Sequence, residues 1–296
     1  MRRCILWCRK VFYTFLTTEN RTLRLSPITP MADPAKGGKA IFLTVAIFCL
    51  WLSFTLANTD GWAVAKSRHF IVYYKNAPTD FIEQLIEKSE YYYDKIADDL
   101  GFRRFDFWLW DNRAKIYIHD DAKAYQAATN QPGWSSGCAI MKEKVIHSFP
   151  YAKGFFETTL PHEMGHIIFR EFVGFDNQAV PRWLDEGVAS YQENLIYSMA
   201  HKLIAEAIAA DKFIKLENLS KINPQLIRDD ESALLFYTEA VSIIDYLVKE
   251  FGKDNFILFC QNLRDKQDLE KAISYVYPFR NIHELDQAWE EYLRSE

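Results

Sequence analysis

Cysteine is scarce in this chain. Five are spread over 296 residues, and beyond residue 57 only Cys138 and Cys260 remain. That number excludes a disulfide framework and a cysteine-built structural zinc site, while permitting one bridge between these two. Excess positive charge is missing as well. Residues 58–296 carry 27 Lys and Arg against 38 Asp and Glu, a formal −11, which repels nucleic acid and anionic lipid surfaces. No nucleic-acid partner is expected. There is no internal repeat or low-complexity linker to divide the body of the chain into an array or separate modules. What is plentiful is apolar: 49% of residues are hydrophobic and 16% aromatic, enough at this length for one substantial domain with a buried core.

One long uncharged run stands apart. Residues 40–57 read AIFLTVAIFCLWLSFTLA, with Lys36 and Lys39 before them and Asp60 after. Such a run is an export signal or a membrane anchor, and its positive flank predicts a cytoplasmic N-terminal side with the remainder across the membrane. The expected location is therefore extracytoplasmic, periplasmic or secreted, with attachment to the membrane through 40–57 if the run is not cleaved. Thr55-Leu56-Ala57 and Ala63-Val64-Ala65 both offer the small residues that a signal peptidase needs. Residues 1–39 form an N-terminal extension. Translation beginning at Met31 would give a signal of ordinary length and order.

The chemistry concentrates at His162-Glu163-Met164-Gly165-His166. On an α-helix, residues four apart share a face, so both imidazoles reach one ion while Glu163 borders the position of a metal-bound water. The pattern alone arises by chance in roughly 1% of chains of this composition, so its surroundings matter. Leu160, Ile167, Ile168 and Phe172 recur at helical spacing, Thr158 or Thr159 can cap the start, Pro161 suits the first turn, and Gly174 can end the helix. A catalytic zinc usually takes three protein ligands and leaves one position for water. Nineteen residues separate His166 from Glu186, which lies near the start of a second helix expected from Pro181. Glu186 is the expected third ligand and the adjacent Asp185 its competitor. The small Gly187 and Ala189 leave room for a closely packed neighbouring helix.

These two segments, His162 to His166 and Trp183-Leu184-Asp185-Glu186-Gly187-Val188-Ala189-Ser190-Tyr191, together resemble the gluzincin metallopeptidases, in particular the peptidase MA-like domain, with an echo of membrane-alanyl aminopeptidases. The resemblance extends more weakly through residues 67–74 and 237–242, and covers 67–296. It implies one Zn2+ held by His162, His166 and Glu186, with Glu163 as the base. It also implies a tyrosine donor to the oxyanion, for which Tyr237, 51 residues beyond Glu186, is the candidate. Two departures are informative. The aminopeptidase branch has eighteen residues before its ligand glutamate, which here would land on Asp185. Its upstream G-A-M-E-N segment becomes Gly137-Cys138-Ala139-Ile140-Met141, with Ile140 where the amine-binding glutamate would stand. An endopeptidase acting on peptide or protein substrates is therefore favoured over an aminopeptidase.

The remaining pattern is that of an α+β chain: a small N-terminal mixed sheet with helices, then the zinc-site helices and a helical C-terminal subdomain, similar to thermolysin-like gluzincins. Strand signals fall at 68–75, 114–119 and 136–148, the last expected to lie at the sheet edge beside the zinc helix. Residues 80–100 and most of the chain from 181 onward read as helix. His69 and His283 are expected to be packed or surface residues, and His147 to sit on a solvent-facing strand position. The aromatic segment 105–110 is expected to be a loop partly folded into the core. Two other classes compete with the enzyme: an inactive gluzincin-like protein-binding module, and a membrane-anchored assembly factor whose H-E-x-x-H is accidental.

Overall fold

A computed structural model of the chain describes residues 61–101, 108–133 and 135–295. Five short strands build its sheet: β1 (Ala63–Lys66), β2 (Phe70–Tyr74), β3 (Ala114–Ile118), β4 (Gly137–Ile140) and β5 (Val145–Ser148), in the order β1-β2-β3-β5-β4. β2, β3 and β5 run parallel, whereas β1 and β4 are antiparallel to their neighbours. Alternation sets the faces: Phe70 and Val72 on β2, and Ala114, Ile116 and Ile118 on β3, turn inward and are fully buried. Helix α1 (Thr79–Asp99) crosses from β2 to β3 and lays Phe81, Ile82, Leu85 and Ile96 against this face. Each such side chain removed from water contributes roughly 1.5–3 kcal/mol. A short helix α2 (Ala122–Thr129) follows β3.

The sheet differs from the sequence expectation at both ends. Residues 136–148 are not one strand but a hairpin, β4 and β5, turned by a 3-10 segment at Met141–Glu143 with Lys144 in the left-handed region. β5 becomes internal, and only β4 remains at the edge. At the other end β1 was not anticipated. Its small residues read as a processing site, yet Val64 and Ala65 are buried in the sheet, where pairing with β2 outweighs weak local strand preference.

Beyond the sheet the chain is helical: α3 (Leu160–Val173), α4 (Arg182–Tyr191), α5 (Asn194–Ala209), α6 (Leu216–Leu219), α7 (Asp230–Phe251), α8 (Lys253–Lys266), α9 (Leu269–Val276) and α10 (Ile282–Ser295). α4 packs on both α3 and α7, and α8 backs α3. A continuous apolar cluster runs from Val72 and Ile116 through Phe169 and Trp183 to Trp289, so sheet and helices share one core. This is the α+β arrangement expected, with the sheet first and the helical subdomain last.

The aromatic segment divides. Trp108 is buried and donates its indole N–H to Glu171 of α3 at 2.6 Å, whereas Trp110 is 81% exposed; residues 105–107 lie outside the described residues. Cys138 and Cys260 are both free and sit in separate buried clusters, so the permitted disulfide is not formed. The run 40–57 also lies outside the described residues, among which no helix is long and apolar enough to cross a membrane.

Candidate metal centre

The chain enters the motif helix already coiled. A π-helical turn, Phe155–Thr159, leads directly into α3, so neither threonine caps the helix start. Thr158 instead donates to the Gly154 carbonyl at 2.6 Å, and the Thr159 hydroxyl meets that of Ser136, just before β4, at 2.8 Å. Pro161 lies in the first turn of α3, and Gly174, at φ 99°, ends the helix as anticipated. Pro181 precedes α4.

Two glycines bring the helices together. A Cβ on Gly165 of α3 would lie 2.9 Å from the Ala189 Cα of α4, and one on Gly187 of α4 would lie 2.2 Å from the Ala240 carbonyl oxygen of α7. Backbone therefore meets backbone on both sides of α4. This close approach carries Glu186 to the two imidazoles of α3.

The three groups form a compact triangle. His162 Nε2 and His166 Nε2 are 3.1 Å apart, and Glu186 Oε2 lies 3.4 Å from His166 Nε2 and 3.7 Å from His162 Nε2. Zinc bonds of about 2.0–2.1 Å at tetrahedral angles would place ligand atoms about 3.3 Å apart. Both Glu186 oxygens are buried with no hydrogen-bond partner. The donor set of two nitrogens and one carboxylate thus fits one zinc ion, by its chemistry and by its buried, uncompensated oxygens.

Acids behind the imidazoles set which nitrogen faces the triangle. His162 Nδ1 is 2.5 Å from Glu193 Oε1, and His166 Nδ1 is 3.0 Å from Asp185 Oδ1. A carboxylate at Nδ1 keeps the proton there and leaves the Nε2 lone pair for a metal. Two such lone pairs 3.1 Å apart repel unless a proton or a cation lies between them. Asp185 is in turn held by Arg170, at 2.9 Å from Nε and 2.8 Å from Nη2. Burial opposes ionisation of Asp185, but His166 and Arg170 outweigh it and bring its pKa down to about 2. In the metal-free state, Asp185 and Glu186 likewise override burial and hold the His166 pKa well above the usual imidazole value.

The expected residues fall as follows. His162, His166 and Glu186 come together, and Glu163, 2% exposed, lies on the same helix beside them. Asp185 does not join the triangle; it is spent on His166 and Arg170. Tyr237 is buried on α7, edge-on to Phe236, on the helix that packs along α4. His69 is buried against Glu90 and stacked on Tyr93, and His283 is exposed. His147 is half-buried, 3.1 Å from His119, and burial followed by that neighbour pushes it down to about 4. Sequence reasoning missed Glu193 and Arg170. Their only signal was spacing: Glu193 follows Glu186 by seven residues, two helical turns, and Arg170 follows His166 by four.

An H-E-x-x-H helix beside a mixed sheet, joined by a glutamate from the next helix, defines a gluzincin-type metallopeptidase scaffold. The pattern of the Peptidase MA superfamily matches residues 109–295, and the chain belongs to that superfamily. Among solved structures it is similar to native yeast LTA4 hydrolase, with a TM-score of 0.47 and 14% identity over 77% of this chain and 38% of that one. A second similar structure is yeast LTA4 hydrolase in complex with bestatin, with a TM-score of 0.40 and 14% identity over 79% and 37%. The chain thus spans under two-fifths of the length of these structures. A comparison with curated proteins finds no match.

Proposed function

We propose that this protein is a zinc-dependent metallopeptidase, exported or membrane-tethered through residues 40–57, that cleaves within peptide chains. The observation that carries the reading is the pair of Nε2 atoms 3.1 Å apart beside a buried glutamate without hydrogen-bond partners. His162, His166 and Glu186 would hold the ion. Bound zinc would supply Lewis-acid polarisation of the scissile carbonyl and lower the pKa of water from 15.7 to about 7.

The chain's own residues carry the proton traffic. Glu163, buried next to the triangle, takes the proton of the attacking water and passes it to the leaving amine. The Tyr237 hydroxyl is proposed to donate to the oxygen on which negative charge develops. Glu193 and Asp185 keep the imidazoles oriented while this happens. An extended substrate is proposed to lie along β4, the last strand in the sheet order. Backbone pairing of that kind accepts many sequences. On β4, Ile140 stands where the resemblance to aminopeptidases would require a glutamate, so a free substrate amine lacks that anchor, which favours internal cleavage.

Metal analysis of the purified chain, with peptide-library cleavage by wild type and Glu163→Gln, tests the reading. One zinc per chain in both proteins, with chelator-sensitive cleavage only in wild type, is the expected result. Zinc without cleavage in either would identify a binding module. Failure of the wild-type chain to take up zinc would sink the proposal.

A further inference from the structure

The acids at 185 and 186 are neighbours, both buried and both within reach of His166, yet only one belongs to the triangle. Zinc does not distinguish two hard carboxylates by chemistry alone, so something in the fold must assign their roles. We propose that Arg170 makes this assignment: it is a positioning residue that holds Asp185 behind His166 and leaves Glu186 as the acid facing the ion. The inference rests on the zinc reading above and extends it to a residue outside the ligand set.

Geometry carries the argument. Arg170 lies one turn beyond His166 on α3, with its side chain 13% exposed. Its Nε and Nη2 both reach Asp185 Oδ2, at 2.9 and 2.8 Å, while Asp185 Oδ1 faces His166 Nδ1 at 3.0 Å. Each oxygen of Asp185 is thereby committed to a different partner. The guanidinium is itself fixed, because Nη1 donates to the Asn177 carbonyl at 3.3 Å. Asn177 is anchored in turn: its side-chain amide donates to the carbonyls of Val173 and Leu263, each at 3.0 Å, tying the α3–α4 connection to α8. Arg170 therefore cannot follow if Asp185 swings toward the ion. A planar donor fork suits this role, since it fixes the carboxylate in orientation as well as in charge.

Without the guanidinium, Asp185 would be a buried carboxylate with one partner, and turning toward the cation would be its best compensation. It would then compete with Glu186 and release His166 from its orientation. Loss of a group that orients metal ligands typically weakens metal binding 10–100-fold. Neutralising Asp185 at the same time should undo most of that loss, because an amide oxygen can still accept from His166 Nδ1 but has far less affinity for zinc.

The test measures zinc affinity by competition with a chromophoric chelator, and the visible spectrum of the cobalt-loaded protein, on the full-length chain. Arg170→Met is expected to weaken zinc at least tenfold and to alter the cobalt spectrum; Arg170→Met with Asp185→Asn is expected to return to within about threefold of wild type. A merely structural role for Arg170 would not produce that rescue. If Arg170→Met fails to fold, Arg170→Gln keeps one donor and is expected to show a loss of at least threefold with the same rescue. Wild-type affinity in the folded single variant, or a double variant as weak as the single one, overturns the inference while leaving the metallopeptidase reading intact. Wild-type chain that takes up no zinc overturns both.

Discussion

Gly187→Ala is a stringent probe of how the centre is assembled. The new methyl carbon would sit 2.2 Å from the Ala240 carbonyl oxygen and 2.8 Å from its carbon, with Ile244 Cγ1 at 2.9 Å. Comfortable contacts between non-bonded carbons lie at about 3.5–4.0 Å, so α4 and α7 must separate by about 1 Å. The obstacle is main chain, which cannot rotate away as a flexible side chain could. Overpacking costs about 1–3 kcal/mol, and backbone contact places this case at the upper end. Alanine returns about 1 kcal/mol through its better helix propensity. The net loss is about 2 kcal/mol, which urea unfolding of the metal-free protein would register as a lower midpoint at unchanged slope. Because Glu186 is the preceding residue, the same displacement should move its carboxylate relative to the imidazoles and weaken zinc binding. A variant as stable as wild type, with zinc affinity intact, would refute the claim that backbone contact at Gly187 places Glu186.

Other consequences are equally open to measurement. Tyr237→Phe should lower kcat by about 10²-fold or more with little change in KM or zinc content; an unchanged kcat would remove Tyr237 from the mechanism. Glu193→Ala should weaken zinc by at least about tenfold through loss of the His162 orientation, and chelator competition showing no loss would contradict that role. Glu239 on α7 is fully buried and accepts from the Ile214 amide at 2.9 Å, with Asp286 of α10 nearby. Burial, aided by Asp286 and opposed by the Ile214 bond, pushes its pKa up to about 8. The folded state therefore keeps a proton that the unfolded chain releases above about pH 4.5, so this contribution to stability is complete below that pH and declines as pH rises toward 8. Glu239→Gln should flatten the fall, which is at most about 1.4 kcal/mol per pH unit, and parallel stability profiles for variant and wild type would disprove it.

The imidazole pair was legible because a helix has a fixed period: residues 162 and 166 share a face whatever surrounds them. The same regularity exposed the motif helix, the mostly helical stretch from 181 onward and the alternating strands β2 and β3. Legibility failed where local preference was weak. Ala63–Lys66 carries little strand signal of its own and becomes β1 through pairing with β2. Residues 136–148 looked continuous because Met141, Lys142 and Glu143 do not announce a turn, and the reversal depends on Lys144 adopting a left-handed conformation. The disulfide allowed by counting cysteines is not formed, because Cys138 packs with Tyr125 and Phe149 while Cys260 belongs to the main core.

What the order of residues determined by itself was the local chemistry: two imidazoles on one helical face, a neighbouring carboxylate, and an acid or pair of acids arriving with the next helix. Tertiary structure alone decided which of Asp185 and Glu186 faces the imidazoles, which acids stand behind them, and that Arg170 grips one of those acids. The reason is physical. Periodicity acts over a few residues, whereas the separation and rotation of α3, α4 and α7 follow from backbone contacts at Gly165 and Gly187 with residues 24 and 53 positions away.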